Sequence, residues 1–211
     1  MLKSLLFRRL LLSGTFAMTL GAGLTHGQAL TPIPVKKTET NVPADSIVVN
    51  TTLTKDKVWI LAGFVVIKAG VTLTIQPGTT LQGDATIKGT LLVDRGGYLV
   101  AAGTPAEPIT FKGPTNEPGS WGGIVMLGRS ISNQGLNNQY EAMGWARFGG
   151  SDPNDSSGVL TYCRLDGPGL PIIVDRELNG LTLAAVGRTT VIHHIQIHRG
   201  VMTASNGSAG R

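Results

Sequence analysis

The fold of this chain is decided by two stretches: residues 72–81 read TLTIQPGTTL, and residues 90–99 read TLLVDRGGYL. The two stretches match when one is shifted by 18 residues. A burst of alternating apolar residues, a glycine and a further leucine then fall at equivalent positions. Side chains alternate along a strand, so each burst buries one side, and the glycine lets the backbone turn a corner. Stacked units of this kind bury a continuous apolar column, so we interpret the 18-residue offset as close to one turn of an all-β solenoid, a parallel β-helix.

Short apolar bursts continue from Val58 onward, separated by glycine-rich corners, without a trustworthy stretch of helical period. An antiparallel sandwich is the alternative for many short strands. It predicts two-residue hairpin turns, for which Asn179-Gly180 is the candidate. The pattern therefore favours the β-helix. The bursts that fit it at looser spacing are residues 108–111, 122–128, 158–162, 180–183 and 192–197.

The first 29 residues are predicted to be a signal peptide rather than part of the fold. Lys3, Arg8 and Arg9 provide a positive start, residues 10–20 are largely apolar, and residues 27–29 supply small residues for a cleavage site. The apolar run is too short to span a bilayer, so no membrane span is expected after removal of the leader. We therefore expect an exported protein of the periplasm, the outer surface or the medium.

The mature chain is expected to form one domain. Residues 30–55 are a polar, extended lead-in, residues 56–200 form the β-helix, and residues 201–211 are an atypical tail. The longest irregular piece, residues 129–155, is predicted to be an insertion at one corner of the solenoid. Insertions of this kind project from the repeats and commonly carry function.

Net charge argues against a nucleic-acid partner. The chain has 18 Lys and Arg and 13 Asp and Glu, a net charge of +5. Three of the basic residues lie in the leader, so the mature chain has 15 basic and 13 acidic residues, a net charge of +2. The excess of positive charge that binding to phosphates requires is therefore largely lost on processing.

The histidines and the cysteine do not predict a metal or redox centre. His194 and His198 would share a face on a helix, but the alternating isoleucines between them indicate a strand. On a strand the two residues lie about 13 Å apart, too far to share one ion. His194, Gln196 and His198 are therefore interpreted as an outward polar row and Cys163 as a packed thiol. No metal or cofactor is expected.

Six residues in or near irregular segments are candidate ligand-binding residues. The acidic ones could contribute to a carbohydrate groove, and the aromatic ones could stack on sugar rings. For Asp152 and Asp155 the competing interpretation is turn capping, because two aspartates are too few for a calcium site. A catalytic pair of carboxylates would have to lie about 5–10 Å apart, which the sequence does not determine. The six candidates are Asp152, Asp155, Asp175, Glu177, Tyr140 and Trp145.

Five segments carry a resemblance to known proteins: residues 70–79, 103–111, 121–124, 156–162 and 177–183. They resemble a family of secreted, right-handed parallel β-helix proteins of bacterial surfaces, within the pectin-lyase-like class of folds. The resemblance covers about residues 55–200. It implies the fold and a location outside the cell, and it is much less specific for function.

The tail departs from that resemblance. In the family, the strand equivalent to residues 195–200 is followed by a segment of the form GDDG(F/Y)EWFGG and by many further turns. Here residues 201–211 read VMTASNGSAGR, yet a shifted codon frame with permissible third bases encodes GDDGFEWFGG. We therefore expect a frameshift and an incomplete β-helix. A downstream nucleotide sequence without β-helix turns in that frame would contradict this expectation.

Three functions remain open from the sequence. The first is a secreted or cell-surface binding or structural module, whose partner is a polysaccharide or a cell-envelope component. The second is a lyase or hydrolase of an acidic polysaccharide, although Arg164 and Arg188 stand without an acidic cluster at matching positions, so no catalytic centre is identified. The third is a truncated chain without function, whose uncapped apolar column and strand edges favour aggregation.

Overall fold

The computed structural model describes residues 28–37, 44–173 and 176–201. The regular structure in these ranges consists of short strands, and the two large sheets are built from parallel pairs. This pairing confirms the parallel β-helix and excludes the antiparallel sandwich. Among the described residues, no helix is long and apolar enough to cross a membrane. The predicted leader up to residue 27 and the tail from residue 202 lie outside the described residues.

Successive coils each contribute strands to three faces, which we call the first, second and third face. The first face is a five-stranded parallel sheet. It consists of β2 (Ala44–Ile47), β5 (Phe64–Ile67), β8 (Thr90–Val93), β11 (Gly123–Leu127) and β17 (Leu181–Ala184).

The second and third faces share one nine-stranded sheet, because two long strands run through both. The second face contains β3 (Thr51–Leu53), β6 (Thr72–Ile75), β9 (Tyr98–Ala102) and the first halves of β14 (Gly158–Asp166) and β18 (Val191–His198). The third face contains β1 (Leu30–Pro32), β4 (Val58–Leu61), β7 (Thr80–Gly83), β10 (Ile109–Lys112) and the second halves of β14 and β18.

Two antiparallel pairs lie outside the three faces. One joins β12 (Asn138–Gln139) to β13 (Arg147–Phe148) within the insertion, and the other joins β15 (Leu170–Ile173) to β16 (Arg176–Leu178). The insertion leaves the first face after β11 and rejoins the second face at β14.

The pairing corrects the turn length that the sequence predicted. Leu73 pairs with Leu99, and Val65 pairs with Leu91, so adjacent coils here are 26 residues apart rather than 18. Leu73 and Leu91, which the sequence aligns, lie on different faces. The reason is that a coil holds three strands, and each strand–corner–strand unit has a similar local sequence whichever face it occupies.

The β-helix also begins before residue 56, where the sequence placed its start. Strands β1, β2 and β3 lie within residues 30–53, and each pairs in parallel with a strand of the next coil. These strands are three or four residues long. That length is too short for apolar alternation to distinguish a paired strand from an extended segment.

Inward side chains of the three faces form one continuous core. Leu73, Leu91, Leu99 and Phe111 are fully buried in it, as stacking of alternating strands requires. Cys163 belongs to the same core, and burial raises the pKa of its thiol to about 12. This confirms the packed thiol that the sequence predicted.

A second apolar layer covers the outer side of the first face. Strand residues Val66, Leu92 and Val125 point outward from the core, yet they are buried. The insertion lies over them and contributes its own buried side chains, including Met143 and Ala146. The first face is therefore buried on both sides, which explains why β8 and β11 are apolar without alternation.

Candidate functional site

A cleft lies at the corner between the first and second faces, where the insertion departs and returns. It encloses a cavity of about 310 Å³. One wall comes from the corner after β8, and the other comes from the two ends of the insertion. The lining residues are Arg95, Arg129, Leu136, Gly149, Gly150, Ser151 and Asp152.

Asp155 and Arg129 hold the base of the insertion together. The Asp155 carboxylate is buried and accepts two hydrogen bonds from Arg129, one from the backbone N at 2.8 Å and one from Nε at 2.9 Å. The arginine side chain is 55% exposed, whereas that of the aspartate is 1% exposed. The carboxylate therefore fixes the near end of the guanidinium, and the far end is open to the cleft.

Arg95 provides the second positive charge. It is half-buried, and its Nη1 donates to the carbonyl of Gly149 at 3.2 Å, across the corner from the returning insertion. Within the part of the chain that the structure describes, no carboxylate lies within ion-pair distance of this guanidinium. The neighbouring Asp94 is engaged instead by Lys68 of the preceding coil, at 2.6 Å.

Of the five predicted site residues that the structure describes, only Asp152 lines the cleft. Its Oδ1 accepts a hydrogen bond from the Asn154 backbone N at 2.9 Å, which forms a tight turn. Asp155 lies beside the cleft, but both of its oxygens accept hydrogen bonds from Arg129. The turn-capping interpretation therefore describes Asp152. Asp155 is buried and engaged by Arg129, so it is corrected from a ligand-binding residue to one that holds the base of the insertion.

The two predicted aromatic residues belong to the outer apolar layer. Tyr140 is 8% exposed, and its hydroxyl lies 3.4 Å from Oγ1 of Thr182, so its ring is not accessible to a sugar. Burial raises the pKa of Tyr140. Trp145 packs edge-on against Phe64, with ring centroids 6.1 Å apart. Both rings attach the insertion to the first face. Burial corrects the predicted sugar-stacking role of Tyr140, and that of the partly buried Trp145 stays a prediction.

Glu177 is a further acidic candidate, and it does not line the cleft. Glu177 is on β16, opposite Pro171, and its Oε1 is buried without a hydrogen-bond partner in the structure. Asp175 lies outside the described residues. The five described candidates are thus not brought together into one site.

The sequence did not single out Arg95 or Arg129 for the cleft. Arg95 follows Asp94 in a repeated glycine corner, and Arg129 directly precedes the irregular insertion. The position of Arg129 at the start of an insertion was a signal in the sequence from which a functional residue could have been predicted. Its partnership with Arg95, 34 positions away, depends on how coils stack and is not visible in the sequence.

The predicted outward row of His194, Gln196 and His198 is interrupted. Gln196 and His198 project from the third face beside Arg164 and Asp166, with which they pair. His194 instead occupies the corner between the second and third faces, with a φ of 54°. The left-handed conformation breaks the strand alternation from which the row was predicted.

Parallel coils around a continuous apolar core define the class of this protein as a β-helix. Residues 45–204 match the model of a family described as the pectate-lyase like beta helix domain. Because the match spans most of the chain, the protein belongs to this family. No curated protein and no solved structure compared with the chain is significantly similar to it.

Proposed function

We propose that this protein is an exported β-helix module that binds an acidic polysaccharide of the cell envelope or its surroundings. The observation that carries the proposal is the convergence of the Arg95 and Arg129 side chains on one open cavity. The leader-like start of the sequence supports export. The family supports the scaffold but does not by itself decide between a binding module and an enzyme.

The chemistry of the cleft suits a sugar that carries a carboxylate. Arginine binds carboxylates through paired, charge-assisted N–H donors, which makes it more selective than a general positive charge. Leu136 is 65% exposed at the edge of the cavity and offers an apolar contact to a sugar ring. A volume of about 310 Å³ is at the lower end for ligand pockets, and it suits individual sugar units of a polymer.

The acids near the cleft favour binding over hydrolysis. A glycosidase needs one carboxyl group that gives a proton and another that acts as base or nucleophile. Asp155 is buried and accepts from Arg129 through both oxygens, so it is not available for proton transfer. Asp152 is the one carboxylate among the described residues that lines the cavity.

Replacing Arg95 with alanine is expected to weaken binding to polygalacturonate or alginate at least tenfold. The reason is that Arg95 is the cleft arginine without a carboxylate partner among the described residues, and its removal leaves the Arg129–Asp155 pair that holds the insertion intact. Affinity electrophoresis in gels that contain each polymer measures the effect. A neutral glucan should not retard the wild-type protein.

Arg147→Ala is the matched control. Arg147 is also an arginine of the insertion, but its Nη1 donates to the carbonyls of Gly144 and Ala146, and it does not line the cavity. Equal losses in the two variants, or unchanged binding by Arg95→Ala, would refute the proposed site. New reducing ends in the polymer would instead indicate a hydrolase, and new double bonds would indicate a lyase.

A further inference from the structure

Two histidine side chains meet at the corner between the second and third faces, in the last described coil. Nδ1 of His193 lies 2.7 Å from Nδ1 of His194, and both residues are exposed. Adjacent residues of a regular strand point to opposite sides, so their side chains do not normally meet. They meet here because the φ of 54° at His194 turns the backbone within β18.

Tyr162 holds this arrangement from the coil below. Its φ is 48°, so the same corner is built in the same way in two successive coils. The rings of Tyr162 and His194 are stacked, with centroids 4.3 Å apart and planes 12° apart. The Tyr162 ring also meets His193 edge-on at 6.1 Å. Both imidazoles are therefore oriented by contacts that are present before any ligand arrives.

The two nitrogens are close enough to bind one metal ion together. Metal–imidazole bonds are about 2.0 Å long, so two nitrogens lie about 2.8 Å apart at adjacent corners of a square plane and about 3.3 Å apart on a tetrahedron. The observed 2.7 Å is close to the square-planar value. Cu(II) prefers tetragonal nitrogen and oxygen sites, binds imidazole well and has the highest affinity in the divalent series.

We propose that His193 and His194 form a two-nitrogen binding site for Cu(II). Without the ion, one Nδ1–H donates a hydrogen bond to the other Nδ1. When the ion binds, solvent transfers that proton to Nε2 of the same ring, so both rings bind the ion through Nδ1 as neutral imidazoles. Water completes the coordination on the exposed side. The site lies at a different corner from the cleft and does not depend on the proposed polysaccharide.

Zn(II) should bind this pair more weakly than Cu(II). Zinc favours tetrahedral sets of three or four protein ligands. Among the described residues, no group of three or more His, Cys, Asp or Glu side chains could hold a metal. We expect at least a tenfold difference in dissociation constant between the two ions.

The test is a titration of the full exported chain, purified without a histidine tag, with copper(II) chloride. Isothermal titration calorimetry gives the stoichiometry and affinity, and electron paramagnetic resonance detects coordinated nitrogen. One Cu(II) per chain with two imidazole nitrogens is expected. His193→Gln and His194→Asn should each weaken binding at least tenfold. Asparagine tolerates the left-handed conformation, so the second variant preserves the corner.

His198→Gln is the matched control, because His198 lies on the same strand but has Asp166 as its neighbour, at 3.3 Å. Copper binding by this variant should equal that of the wild type, and thermal unfolding without copper establishes that each variant is folded. Three results would overturn the site: wild-type affinity in His193→Gln, an equal loss in His198→Gln, or zinc binding as tight as copper binding. If His194→Asn does not fold, His193→Gln decides, since His193 has an ordinary strand conformation.

Discussion

Replacing Gly158 with alanine is expected to lower the free energy of unfolding by more than about 3 kcal/mol, or to prevent folding. Gly158 begins β14 with a φ of 126°, a conformation that side chains rarely adopt. An added Cβ would lie 2.0 Å from the carbonyl oxygen of Leu99 and 2.7 Å from its backbone N. These atoms belong to the adjacent strand, so they cannot move away without breaking the register of β9 and β14. Urea denaturation followed by circular dichroism measures the loss.

Gly70→Ala separates the backbone strain of a positive φ from the steric clash with the adjacent coil. Gly70 also has a positive φ, 76°, but an added Cβ would meet nothing within 4 Å. Its replacement should therefore cost only the strain of the left-handed conformation, about 1–2 kcal/mol. If both variants lose the same stability, close approach between coils is not what requires glycine at position 158.

Truncating Trp121 to alanine is expected to cost about 3–5 kcal/mol of stability. Trp121 is fully buried at the corner between the third and first faces and stacks on Phe111, with centroids 6.1 Å apart. Its Nε1 donates to the carbonyl of Asp166 in the next coil at 2.8 Å. The substitution leaves a large cavity and an unpaired carbonyl, and a well-packed corner cannot collapse to fill the space. The midpoint of urea unfolding should fall accordingly.

Trp145→Ala compares the stability contribution of a tryptophan in the outer layer with that of Trp121 in the inner core. Trp145 is only partly buried, and it packs against Phe64 on the outside of the first face. Its loss should cost about 1–2 kcal/mol, because less apolar area is removed and the inner core is untouched. A loss as large as that of Trp121→Ala would show that the insertion supports the fold as strongly as the inner column does.

The sequence was sufficient for the fold class and for the residues that line the core. Apolar alternation in residues 72–75 and the glycine corner at residue 78 are local properties, and they describe strands and turns correctly. The burial of Cys163 followed from the same patterns. The export and the tail that the sequence predicts stay predictions, because the residues concerned lie outside the described ranges.

The tertiary structure decided which residues meet, and the physical reason is the stacking of coils. Offsets of 26 residues in one place and 32 between Val159 and Val191 arise because corners differ in length. Contacts across coils therefore follow no fixed spacing that the sequence displays. Tyr140 and Trp145 became packing residues because the insertion folds back onto an apolar face. Arg95 and Arg129 line one cavity, and His193 contacts His194, because of the geometry of the corners. The local alternation of apolar and polar residues does not encode that geometry.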